Sequence, residues 1–187
     1  TSELTSDEKC QTSMNLPDGS PLFAYSSYNL QTVERHFRWM EEYDIDGVEL
    51  SRFVAGLAYP NMFDFKNKVL ENVRTSAEIH GRVFYIQYDT NDVNWATGAN
   101  DIIQDWQYLV DVLKVTESPQ YLHHNGLPVL GIYGAGFADN SSLTMSPQNA
   151  NELLDFFHKD AAPEYRATLV GGLPSYWRTG SRDALPG

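Results

Sequence analysis

The sequence predicts a parallel α/β protein built from repeated strand–helix units, and three observations carry that prediction. The stretch from Thr32 to Phe53 (TVERHFRWMEEYDIDGVELSRF) runs through an amphipathic helix, a short turn and a buried strand. Val33, Phe37 and Met40 recur at helical spacing with His36 and Trp39 beside them, and Val48 and Leu50 mark the strand. The same order then repeats down the chain, and no glycine-rich phosphate fingerprint follows the first strand. One such unit cannot bury both of its faces, so it needs neighbours of its own kind. The sheet they form is either a (β/α)8 barrel or an open doubly wound sheet. In both, function gathers at the C-terminal ends of the strands.

Taken in order, residues 1–21 are a polar N-terminal segment ending in the turn signal Pro17-Asp18-Gly19-Ser20-Pro21. Residues 22–187 form the strand–helix domain. Leu22 to Ser26 is a short candidate strand. A helix starts near Asn29 or Thr32, with Thr32 a plausible N-cap, and ends at Tyr43-Asp44. Strand Ile45 to Phe53 follows, then a loop to Pro60. The helix from Asn61 to His80 is closed by Gly81, a residue suited to the left-handed cap. Arg82 to Tyr88 (RVFYIQY) is rich in β-branched and aromatic residues and reads as a buried strand. A polar loop leads to a helix over Asp101 to Val115. A connector holds His123 and His124. Leu127 to Tyr133 is the next strand, Pro147 to Lys159 a helix starting after Ser146, and Ala167 to Leu173 the last strand.

Composition narrows the partners. The chain has 187 residues, is 42% hydrophobic and 13% aromatic, and carries a formal net charge of −12. An apolar fraction of that size supports a packed core. The negative charge argues against nucleic acid and against anionic membrane surfaces, which both need a basic face. A neutral ligand such as a sugar fits better. No apolar run approaches the ~20 residues of a membrane span. The single cysteine, Cys10, excludes an internal disulfide. Asn140-Ser141-Ser142 is an N-glycosylation sequon, which has meaning only in a protein secreted by a eukaryote. The location is left open, with an extracellular or secretory one slightly favoured.

Several motifs, in order, resemble the glycoside hydrolase family 71/99-like proteins, relatives of the endo-α-mannosidases. They are SSYN with TVERHFRWMEEYDIDGVELSRF, GRVFYIQYD, W-x-x-L-V-D, YLHHNGLPVLGIYGAGF and GGLPSYWR, spanning Ser26 to Arg178. The resemblance implies a (β/α)8 TIM barrel of which about half lies in this chain, since a full barrel takes roughly 250 residues. The family's first barrel strand and its last strands are missing, and the mannosidase carboxylate pair comes from that later part. No catalytic residue is therefore assigned here. The implied function is to bind or cleave α-linked glycans of the mannoside or glucan class. The rival is a non-catalytic carbohydrate-binding or structural subunit, with a protein partner covering the open sheet edges. No metal or organic cofactor is implied.

The substrate-binding candidates are Asp89, Arg52, Tyr133, Tyr176 and Trp177. Asp89 ends strand VFYIQY where the family has a Tyr-Asp motif, and a carboxylate there accepts hydrogen bonds from sugar hydroxyls. Arg52 ends the first strong strand and fits a ligand contact or a structural ion pair equally. Alternation puts Glu49 and Ser51 on one face of that strand and Val48, Leu50 and Arg52 on the other. Relatives have an apolar residue at the Glu49 position and glutamine at the Ser51 position, so this chain lacks an amide there. Tyr176 and Trp177 follow the last strand, where aromatic rings suit sugar stacking. Tyr133, before Gly134 and Gly136, closes the preceding strand. His36 reads as a packing residue and His123 and His124 as surface connectors.

Overall fold

The computed structural model describes residues 4–138, 144–182 and 184. Strand β1 (Cys10–Asn15) and strand β2 (Pro21–Ala24) form an antiparallel hairpin. The turn signal is correct, with Gly19 at φ 83° and Asp18 accepting from the Ser20 amide and hydroxyl. What the sequence obscured is β1 itself. Its residues are mostly polar and, apart from the half-buried Thr12, exposed on both faces, so no alternation marks it. The hairpin therefore crosses the position at which composition divides the polar segment from the rest.

Helix α1 (Leu30–Glu42) is capped by Asn29, whose side chain accepts from the Gln31 amide at 2.9 Å. Thr32 instead is buried, facing Glu8 at 3.4 Å. The parallel strands β3 (Gly47–Phe53) and β4 (Val83–Asp89) are joined by α2 (Pro60–His80), which starts on a proline and ends at Gly81 with φ 61°. Helix α3 (Gly98–Asp111) leads to β5 (His123–His124), a two-residue strand antiparallel to the start of β6 (Leu127–Tyr133). Asn125 and Gly126, both at positive φ, make the two-residue hairpin turn between them. The segment around Tyr121 also bonds to β4, so it wedges between the first halves of β4 and β6. Helix α4 (Pro147–Asp155) and strand β7 (Thr168–Gly172) complete the fold.

The parallel strands lie in the order β3-β4-β6-β7, each crossover moving on in the same direction. Among the described residues the strand order does not reverse, as it would in a doubly wound sheet. The described residues thus form a parallel sheet whose strands are joined by helices. Among the described residues the sheet does not close, and β3 and β7 each have one strand neighbour.

The core lies on one side of this sheet. Phe84, Ile86, Tyr88 and Leu130 are fully buried with Phe37, Ala77, Ile102, Trp106 and Leu109 from the helices. Trp106 satisfies its indole N–H on the Tyr165 carbonyl at 2.9 Å. Among the described residues no helix covers the other side, and Glu49, Ser51 and Phe53 of β3 are exposed there.

Candidate glycan-binding face

In-register pairing brings the strand ends into one row. Phe53 stands beside Asp89, Asp89 beside Tyr133, and Tyr133 beside Gly172. All four residues close parallel strands, and alternation puts the side chains of Phe53, Asp89 and Tyr133 on the face away from the helices. The row joins two sequence candidates, Asp89 and Tyr133, and adds Phe53, which is 49% exposed.

The loops behind the row are tied to it. Asp89 is nearly buried, and its Oδ1 accepts from the Asn91 amide at 3.0 Å, which fixes the carboxylate as the chain turns. The Thr90 hydroxyl donates to the Tyr133 carbonyl at 2.8 Å, locking the β4 loop to β6. The Gly134 amide donates to the Gly172 carbonyl at 3.1 Å. Gly172 is required by contact, since a Cβ there would come within 2.5 Å of Tyr133 Cδ2. Tyr133 also tilts against Phe137, with centroids 5.5 Å apart.

Tyr176 and Trp177 leave the end of β7 and are 37% and 53% exposed. The Arg182 guanidinium lies 4.3 Å from the Tyr176 ring centre and donates to its hydroxyl. Arg178 lies 5.1 Å over Trp177. These two rings follow the end of β7, at the same end of the sheet as the row.

Arg52 does not join the others. Its side chain projects to the helix side, where the guanidinium grips both oxygens of Asp105 at 2.7 Å and reaches Asn67 at 2.9 Å. Tyr88 donates to the same Asp105 at 2.6 Å. Burial, with the Asp105 charge next, raises the Tyr88 phenol well above its ordinary pKa. Arg52 is only 2% exposed, so it has the structural ion pair and not the ligand contact. Asn140 lies outside the described residues. His36 packs between Tyr25 and Trp39, and burial lowers its pKa. His123 and His124 are exposed, in the short strand β5.

Sequence reasoning missed a second row on the open face. Glu49 of β3 stands beside Tyr85 of β4, and Ser51 beside Gln87. The Tyr85 hydroxyl donates to Glu49, and burial together with that carboxylate pushes the phenol up to about 12. Alternation had placed Glu49 and Ser51 on one face, but only the register with β4 shows their partners. Among the described residues no group of three or more His, Cys, Asp or Glu could hold a metal ion, and no helix is long and apolar enough to cross a membrane.

The fold has known neighbours. A GH99 endo-alpha-mannosidase from Bacteroides thetaiotaomicron matches with a TM-score of 0.56 and 16% identity, over 80% of this chain and 39% of that one. A structure of a GH99 endo-alpha-mannosidase in complex with BIS-TRIS-Propane matches with a TM-score of 0.54 and 15% identity, over 83% of this chain and 43% of that one. The chain thus spans about two fifths of these structures, and the likeness is a distant one of fold. No family model matches the chain, and comparison with curated proteins gives no match.

Proposed function

We propose that this chain is part of a glycoside hydrolase-like (β/α) barrel that binds or acts on α-linked glycans of the mannoside or glucan class. The observation that carries it is the row Phe53–Asp89–Tyr133–Gly172 at the parallel strand ends, in a sheet similar to part of a GH99 endo-alpha-mannosidase. Asp89 accepts from sugar hydroxyls, and Tyr133, Tyr176 and Trp177 present ring faces to the sugar. The catalytic carboxylates belong to the part of the barrel outside this chain. Asp89→Asn tests this. It should weaken binding of an α-linked mannooligosaccharide roughly tenfold, the effect of weakening a hydrogen bond to a charged group. The fold should persist. Unchanged glycan affinity in the folded variant removes Asp89 from the site.

One observation favours the second reading, a non-catalytic subunit with a covering partner. Between β3 and α2 runs a mostly apolar groove of about 250 Å³ lined by Leu50, Met62, Phe65, Val69 and Leu70, with Arg52 and Lys66 among its other lining residues. An apolar groove beside an unpaired strand edge is suited to being covered. A sized complex with a second chain in which this edge becomes protected would favour that role.

A further inference from the structure

We propose that Thr90 is a positioning residue for the glycan site: its buried hydroxyl sets the spacing of Asp89 and Tyr133 without touching the glycan itself. This rests on the proposed glycan function and goes beyond it by naming the group that holds two of its binding residues in place.

The row at the strand ends depends on one peptide group, the link between Tyr133 and Gly134. Its carbonyl accepts from the Thr90 amide at 3.2 Å and from the Thr90 hydroxyl at 2.8 Å, and its N–H donates to the Gly172 carbonyl at 3.1 Å. A carbonyl oxygen has two lone pairs, so it accepts both Thr90 donors at once. The amide bond continues the β4–β6 ladder past its last pair, Asp89 and Tyr133. The hydroxyl adds a second tie where both chains leave the sheet. One peptide is thereby fixed across β4, β6 and β7, which are adjacent strands of this chain, so the lock is complete without the rest of the barrel.

The hydroxyl has a place made for it. Thr90 is buried, and a Cβ on Gly134 would come within 2.2 Å of its Oγ1. Gly134 also stands at φ 108°, in the region that favours glycine. On its other side, Thr90 begins the turn that orients the Asp89 carboxylate. The Thr90 carbonyl accepts from the Val93 amide at 3.4 Å, Asp92 takes a φ of 59°, and Asp89 Oδ1 accepts from the Asn91 amide. Farther along this loop, the Trp95 carbonyl accepts from the Asn149 side chain of α4 at 3.2 Å. The loop is thus tied to the next strand–helix unit at two points, and the Thr90 tie is the one adjoining Asp89. Loss of the hydroxyl leaves the Asp89 turn joined to Tyr133 by the longer amide bond alone. The carboxylate and the ring then lose the fixed spacing that a rigid ligand rewards when it is set before binding.

The test is calorimetric titration with an α-linked mannotetraose and with maltotetraose, beside thermal melting, for wild type, Thr90→Val, Thr90→Ser and Asp89→Asn. Thr90→Val keeps the buried volume and loses the donor, and it should bind the preferred tetrasaccharide about fivefold more weakly, the effect of one neutral hydrogen bond. Without glycan, the Gly134 amide should exchange faster in Thr90→Val than in Thr90→Ser. Thr90→Ser keeps the donor and loses a buried methyl, so it should melt below wild type yet bind with wild-type affinity. Should Thr90→Val fail to fold, Thr90→Ala removes the same hydroxyl and should show the same weakening. Wild-type affinity in the folded variant lacking the hydroxyl, with Asp89→Asn weakened, overturns the positioning role and leaves the glycan function standing. Thr90→Ser losing as much affinity as Thr90→Val overturns it too, because the hydroxyl is then not the group that matters. If the wild type binds neither tetrasaccharide, the glycan function is overturned and the positioning role with it.

Discussion

Arg52 and Asp105, 53 positions apart in the chain, form a bidentate pair at 2.7 Å on both arms, with both side chains 3% exposed. The pair fastens β3 to α3 across the helix side of the sheet; Arg52 Nη2 also donates to Asn67, and the Tyr88 hydroxyl donates to Asp105. Its role is to hold the ends of β3 and β4 in register, with Phe53 and Asp89 carried on the opposite face.

Breaking this pair from one side should be costly. Arg52→Ala leaves a buried carboxylate without its cation, and losses of about 3–5 kcal/mol are typical of that situation. Urea denaturation measures it. Asp105→Ala should cost a similar amount, and the double variant clearly less than the sum, because the stranded charge is then gone. A loss below about 1 kcal/mol in Arg52→Ala, the range of exposed pairs, would contradict the buried geometry.

Acid should loosen the N-terminal segment. Glu8 is buried against α1, accepting from Arg35 at 2.5 Å and from the Thr5 amide and hydroxyl at 2.9 Å each. The Arg35 hydrogen bond, then the Thr5 amide, hold its pKa down to about 2 from 4.5. A carboxyl depressed in the folded state stabilises fully above its unfolded pKa, and that contribution fades as pH falls from about 4.5 through about 2. Amide exchange in β1 and β2 should accelerate across this window in the wild type. In Glu8→Gln it should already be fast at neutral pH and show no such step.

Gly172 should prove intolerant of a side chain. The methyl of Gly172→Ala would meet Tyr133 Cδ2 at 2.5 Å and its Cα at 3.0 Å. The ring must move or the strands must separate. Overpacking of this kind costs about 1–3 kcal/mol. Thermal unfolding should show that loss, and glycan affinity should fall with the displacement of Tyr133. Wild-type behaviour in both would mean that the ring has slack.

The parts of the fold that sequence exposed are those with strong local periodicity. Strands β3, β4, β6 and β7 and helices α1 to α4 each carry a run of apolar residues at a fixed interval, and each boundary fell within a few residues. Two elements lacked that signal. β1 is mostly polar on both faces, and β5 is two residues long, although Asn125-Gly126 is a hairpin-turn dipeptide in plain view. The site was legible as single strand ends and not as a constellation. Asp89 and Tyr133 were found because they end strands. Phe53 and Tyr85 were passed over, and Glu49 was given a face but no partner, because these pairings depend on register between strands. The side of the sheet taken by Arg52 was legible from alternation, but its partner lies 53 positions away and no local pattern points to it.

The most direct measurement is a residue-resolved NMR titration of the wild-type chain with an α-linked mannooligosaccharide. Saturable shifts at Asp89, Tyr133, Tyr176 and Trp177, with none at Arg52 and Asp105, are the predicted result. Saturable shifts confined to the helix side of the sheet, or no shifts with either mannose- or glucose-based α-oligosaccharides, would contradict the glycan function of the open face.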